Sequence, residues 1–347
     1  MIFFGDLACP VERIEFFQKW TAEEEMFRDQ IIILNFEANI VNNAEDRKKL
    51  TLYNVSRITE CFPHAKKVIV SLANNHMYDY PEKILDTKSY LESKGIGCFG
   101  LYDNGRIVPY EFEENGVRYA LFGHCWRLYT HTNCNNVNDI RVVDCLYDEF
   151  IEKVRNYVET HHETRVYCFM HWNYDLERLP LPMHRKLSRE LIDLGVSGVI
   201  GGHSHRPQGM ELYKGKPIVY CMGNFYLPSG IYFDGRLKYP DCSMTTYGVK
   251  ITDHGMRTLW FKTDLSDTVP LTLVGEEYFG EGENCKKHSP FAEMDDNEYL
   301  TYFSNNRAKT ALVAKFPEPY GKRYLLDEAW AINRVRILRR LKGLLKK

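Results

Sequence analysis

The ten cysteines of this 347-residue chain include no Cys-x-x-Cys pair, which argues against a zinc ribbon. The chain is too long for a small disulfide scaffold, so reduced thiols and a cytoplasmic location are expected. No apolar run approaches the ~20 residues needed to span a bilayer. The N-terminal Met1–Asp6 shows no signal-peptide pattern and leads directly into chemistry-bearing sequence, which again points to the cell interior. Excess charge is lacking too. The 45 Lys and Arg face 47 Asp and Glu, a net −2, so no field across the molecule favours nucleic acid. There is no internal repeat and no low-complexity tract.

Present instead is an ordinary globular composition, 44% hydrophobic and 27% charged. The 23 Tyr and 19 Phe are read first as core. Short β-branched or aromatic runs at 2–4, 31–34, 68–72, 119–122, 166–170, 196–200 and 218–222 predict strands. Amphipathic stretches at 10–28, 44–61, 81–94, 143–161 and 181–194 predict helices between them. This alternation implies an α/β fold whose strands are covered on both faces. Runs 247–252 and 258–262 flank Asp253-His254-Gly255, a hairpin signal. A main domain over 1–265 is expected, followed by an extension over 266–347. That extension is loosely ordered to about 319 and ends in a basic helix over 327–345.

The carboxyl ends of the predicted strands are the most informative positions. Asp6 comes after the first strand and Glu37 after the second. Asn74-Asn75-His76 comes after the third, and His171-Trp172 after the run at 166–170. Gly201-Gly202-His203-Ser204-His205 succeeds 196–200, and Gly223-Asn224-Phe225 succeeds 218–222. If these strands are mostly parallel, the groups converge on one rim, where α/β folds gather their ligands. Carboxylates, an amide carbonyl and imidazoles form a mixed oxygen and nitrogen ligand set. It suits Mn, Fe or Zn rather than a thiolate site. Five or six ligands exceed one tetrahedral shell, and a two-metal centre accounts for the surplus.

In this order, the segments resemble the CapA family, which is associated with capsule and extracellular polymer synthesis, poly-γ-glutamate among them. That family is itself similar to the calcineurin-like metallophosphoesterases. The resemblance covers about residues 1–262 and implies a four-layered α/β/β/α sandwich. It implies two divalent metal ions. Asp6, Glu37 and His205 would hold one, and Glu37, Asn75, His171 and His203 the other, with Glu37 as the bridge. His76 would act near the leaving group as acid or anion stabiliser, oriented by Asp79. Metallophosphoesterases usually carry a histidine two residues after the first aspartate, where this chain has Ala8, and bridge with Asp rather than Glu. The resemblance implies a hydrolase on an anionic polymer or phosphoester, with polymer-synthesis proteins as partners. Two other readings stay open: a non-catalytic, metal-stabilised subunit, and a phosphodiesterase unrelated to capsule.

Arg206, directly after the histidine pair, could grip an anionic substrate in bidentate fashion. Trp172 and Asn224 are further substrate-side candidates. His124, after Gly123, reads as structural. The stretch Gly95-Ile96-Gly97-Cys98-Phe99-Gly100 comes after a predicted helix and opens none, so it is not read as a dinucleotide site. The basic last helix packs on the domain or, in a sharper reading, lies on anionic lipid at the inner membrane face.

Overall fold

The computed structural model describes residues 1–133, 141–263, 269–309 and 313–344. Four parallel strands open the chain: β1 (Ile2–Leu7), β2 (Ile31–Phe36), β3 (Lys67–Ser71) and β4 (Gly97–Phe99). After a small hairpin, β5 (Tyr102–Asp103) and β6 (Arg106–Ile107), a second sheet begins. It contains β7 (Tyr110–Glu114), β8 (Val117–Cys125), β9 (Thr164–His171), β10 (Gly198–Gly202), β11 (Gly209–Tyr213) and β12 (Lys216–Cys221). Here β8, β9, β10 and β12 run parallel. The chain then returns to the first sheet through β13 (Asn224–Tyr226), which lies parallel to β1. The antiparallel β14 (Thr245–Thr252), β15 (Gly255–Thr263) and β16 (Leu271–Tyr278) complete that sheet.

Side-chain alternation along these strands sets the layers. Phe3, Ile31, Ile33 and Ile69 of the first sheet pack on Leu121, Phe169, Ile200 and Val219 of the second. The opposite residues of the first sheet, Ile2, Phe4, Ile32 and Leu34, meet Ile14, Phe17 and Trp20 of helix α1 (Ile14–Glu23) and Ile84 and Leu91 of α2 (Ile84–Ser93). The short α3 (Arg127–Asn133) comes after β8. On the outer face of the second sheet, Phe122, Val166, Cys168 and Val199 meet α4 (Tyr147–Thr160) and α5 (Pro182–Asp193). The order helix, sheet, sheet, helix is the expected α/β/β/α sandwich. With both sheets parallel at their centres, Asp6, Glu37, Asn75, His171 and His203 all succeed or end parallel strands.

Three segments depart from expectation. The helix expected over 10–28 shrinks to α1 with a single 3-10 turn after it. The stretch 44–61 contains no α-helix, only 3-10 turns at Ala44–Asp46 and Ser56–Glu60. Its backbone is engaged elsewhere: Val41 N–H donates to Asn54 O (2.8 Å), and Leu52 N–H donates to the Asp79 carboxylate (2.8 Å). The stretch expected to be loose is largely ordered. It contributes β16, α6 (Glu283–His288) and α7 (Asp296–Asn306), the last begun by an Asp295–Glu298 capping box. Buried Arg185 holds it in place, pairing with Glu211 and donating to the carbonyls of Phe291 and Met294. The domain boundary expected at 265 lies outside the described residues.

The last helix, α8 (Gly321–Leu344), starts six residues earlier than expected, and residues 345–347 lie outside the described set. It packs through Tyr324, Glu328 and Ala331, while Leu325, Leu326, Trp330, Ile337 and Leu338 are exposed. No helix among the described residues is long and apolar enough to cross a membrane.

Candidate metal centre

The two sheets come together at the carboxyl ends of β1 and β10. A Cβ built on Gly202 would stand 2.9 Å from Asp6 Oδ1, so glycine is what lets the strands approach. Across this contact the His203 N–H donates to Asp6 Oδ2 at 3.2 Å, and His205 Nδ1 lies 3.4 Å from the same oxygen. Both histidines sit at positive φ, 91° and 56°. Left-handed backbone at two neighbouring ligand-type residues is the strain that functional loops carry.

Asn35 at the end of β2 ties the carboxylates together, donating to Asp6 Oδ1 (2.8 Å) and to Glu37. His171 Nε2 stands 2.8 Å from Asn75 Oδ1, 2.9 Å from His203 Nδ1 and 3.6 Å from Glu37 Oε1. One ring nitrogen cannot satisfy three such neighbours with one proton. Glu37 Oε1 is buried with no hydrogen-bond donor among the described residues. Two groups of ligand atoms each lie within 4.8 Å of one another: Glu37 with His203 and His205, and Asp6 with Glu37 and His171. Glu37 belongs to both, as the resemblance implies for the bridge, although the other partners are divided differently. Ala8 is buried against Ala38, Leu52, Leu227 and Tyr232, so this position adds apolar packing and no ligand.

The electrostatics favour a bound cation. Burial, and then the Asp6 carboxylate, push Glu37 well above the usual carboxylate range. Burial, and then the neighbouring imidazoles, hold His171 well below the ordinary histidine value, and burial also lowers His203. Burial acts to lower His205 as well, but Asp6, Asp175 and Asn224 together outweigh it and the net shift is upward. Neutral imidazoles offer lone pairs, and a divalent ion would reverse the penalty on the buried carboxylates. The donor set, the orphaned Glu37 oxygen and the two clusters thus fit divalent metal.

His76 lies at the rim. Its Nδ1 is 2.8 Å from Asp79 Oδ2, and its Nε2 is 3.9 Å from Glu37 Oε1. A carboxylate only accepts, so Nδ1 carries the proton and Nε2 faces the cleft. The cleft has a volume of about 550 Å³. Asn75, His76, Asp175 and His205 reach it, with Tyr129, Tyr239, Lys238 and Arg334 among its walls.

The substrate-side candidates are placed differently from expectation. Asn224 is buried with its Oδ1 2.8 Å from His205 Nδ1, so it orients a ligand-type residue. Trp172 is not brought to the cleft. Its indole donates to Tyr220 O (2.9 Å) and stacks on His184 inside the core. Arg206 lines a different cavity, beside Lys287 and His288. His124 is structural as expected: its Nε2 is 2.9 Å from Cys145 O, and burial lowers its pKa to about 4. The rejected glycine stretch is spent on strand β4. Two contributors escaped the sequence reading. One is Asn35, and the other is Asp175, whose Oδ1 is 3.2 Å from His203 Nε2. Asp175 lies four residues past His171 in the same loop, the one signal that could have exposed it.

A family model, the bacterial capsule synthesis protein PGA_cap, matches residues 12–229. The chain belongs to this capsule synthesis family. Its relatives include capsule biosynthesis protein CapA of Bacillus anthracis, 24% identical over 295 residues, covering 81% of this chain and 65% of that protein. The PGA biosynthesis protein CapA of Bacillus subtilis (strain 168) is 24% identical over 241 residues, covering 65% and 60%. A probable polyglutamine synthesis accessory protein of Mycobacterium tuberculosis is 38% identical over 223 residues, covering 56% and 54%. This member of the capsule synthesis family thus spans somewhat under two thirds of those relatives' lengths. Among solved structures it is similar to the calcineurin-like phosphoesterase YfkN from Bacillus subtilis. That match has a TM-score of 0.39 and 14% identity, covering 86% of this chain and 97% of the other. A putative 5'-nucleotidase from Staphylococcus aureus gives a TM-score of 0.44 at 12% identity, covering 84% and 57%.

Proposed function

We propose that this capsule-family chain is a metal-dependent hydrolase acting on a phosphoester-type bond in capsule or extracellular polymer synthesis. The observation that carries the reading is the Glu37 carboxylate, buried beside Asp6 among three imidazoles with one oxygen unpaired. Asp6, Glu37, Asn75, His171, His203 and His205 would hold two divalent ions. Such ions supply an activated water and neutralise charge in a displacement at phosphorus.

The chain's own residues do the rest. Asp79 receives the Leu52 N–H and the His76 ring on one oxygen, which fixes the imidazole plane. When protonated, His76 Nε2 is positioned to donate to a leaving oxygen. Lys238 and Arg334 at the cleft wall favour an anionic substrate, and the tyrosines offer flat faces to a polymer unit. An anionic polymer or polymer precursor that carries a phosphoester linkage fits this lining.

A panel of phosphomonoesters, phosphodiesters and anionic polymers with added Mn²⁺ tests the reading. Turnover is expected to require the metal. His76→Ala should lower kcat by about 10²-fold or more. Asp79→Asn should lower kcat by about tenfold with KM nearly unchanged. A purely structural Asp79 would instead lower Tm and move KM together with kcat. Metal binding and metal-dependent stability without turnover on any substrate would instead support a non-catalytic subunit, the reading that the apolar setting of Ala8 favours.

A further inference from the structure

Away from the cleft, a cavity of about 260 Å³ is lined by Arg178, Arg206, Lys287, His288, Pro207 and Tyr302, among others. The three cations come from three parts of the chain. Arg178 lies in the loop after β9, Arg206 in the loop after β10, and Lys287 in α6. No carboxylate lines the cavity among the described residues. Arg206 Nε is buried with no acceptor among the described residues. Arg127 and Arg307 also carry an Nε without a hydrogen-bond acceptor among the described residues, but each faces a carboxylate, Glu328 at 3.3 Å and Glu177 at 3.6 Å. Positive charge gathered without its counter-charge in a concave site is the footprint of an anionic ligand.

We propose that this cavity is a second ligand site, separate from the cleft, for a phosphate-type dianion. Planar guanidinium groups match phosphate oxygens in pairs. Three permanent charges exceed what one carboxylate would neutralise, so a multiply charged oxyanion is the better complement. His288 adds a neutral ring rather than a fourth charge: burial, and then Lys287 and Arg206, lower its pKa to about 4. Its imidazole is held by stacking on Trp260 at 5.1 Å. The site and the cleft share no lining residue, yet two loops serve both. One presents Asp175 to the cleft and Arg178 to the cavity, and the other presents His205 and Arg206. Ser204, between the two histidines, donates to the Arg206 carbonyl at 3.0 Å. A bound anion would therefore fix the loops that carry the metal-facing histidines.

Calorimetric titration of the full, metal-loaded chain with inorganic phosphate tests this. A parallel titration with methylphosphonate separates a site for free phosphate, which prefers the first, from one for the phosphoryl end of a larger molecule, which tolerates both. Wild-type protein should bind, and binding should persist in His203→Ala, whose ring lies at the metal centre and not in the cavity. The double variant Arg206→Gln, Lys287→Gln should lose about tenfold or more in affinity. Lys287 is exposed, so Lys287→Gln alone keeps the fold and should still weaken binding severalfold. Equal affinity in these variants and wild type, loss confined to His203→Ala, or no binding by wild type would overturn the proposal.

Discussion

His203→Ala protein should carry fewer than two divalent ions per chain and lose turnover by at least about 10²-fold. The size follows from position. Residues that merely orient a metal-bound histidine typically cost about 10–100-fold when removed, and His203 stands in direct line with the others. Its Nδ1 is 2.9 Å from His171 Nε2, and its backbone N–H is held by Asp6. Removing the ring leaves His171 Nε2 facing only Asn75 and Glu37 and takes a member from the Glu37–His205 cluster. Two readouts need no substrate: metal content after dialysis, and the rise in Tm on adding Mn²⁺, which wild type shows and the variant lacks. Because His203 sits at φ 91°, His203→Gly serves as companion, removing the ring while adopting that backbone freely. Full metal content and full activity in both variants would exclude His203 from the centre.

Gly201→Ala should destabilise the fold by about 3 kcal/mol or more, because overpacking at a backbone contact has no flexible side chain to absorb it. A Cβ at this position would lie 2.0 Å from the Tyr220 carbonyl oxygen and 2.7 Å from Trp172 Nε1. That oxygen already accepts the Trp172 indole N–H at 2.9 Å, so a single methyl group breaks a buried hydrogen bond as well as separating β10 from β12. The displacement would pass to the loop that begins two residues later and carries His203 and His205. Urea unfolding should show the loss as a lowered midpoint with an unchanged slope. A midpoint equivalent to less than about 1 kcal/mol of change would show that the strands are free to part there.

Much of the site was legible because of where its residues stand. Asp6, Glu37, Asn75, His171, His203 and His205 all sit at the carboxyl ends of apolar runs, and parallel topology turns that common position into proximity. The layers were legible for a related reason, since alternating strand and helix leaves few ways to cover both sheets. What sequence could not show was on which side of a loop a residue points. Trp172 and Arg206 each adjoin a ligand-type histidine, yet one faces the core and the other a separate cavity. Asn35 was hidden inside a buried strand, where an amide looks like an ordinary exception until its carboxylate partners come from elsewhere. The segment 44–61 shows helical periodicity but spends its backbone on bonds to Asn39, Val41 and Asp79, and tertiary context overrode local preference. The segment that leads into the helix at Asp296–Asn306 relies on Arg185, 106 and 109 residues away from the carbonyls it holds, which no local pattern reveals.

Crystals grown with Mn²⁺ and measured across the metal absorption edge test the two-metal centre most directly. Two anomalous peaks about 3.5–4 Å apart are expected, both within coordinating reach of Glu37 and flanked by Asp6, His171, His203 and His205. A cleft with no ordered ion beside Glu37, at a metal concentration that saturates any stabilising effect, would contradict it.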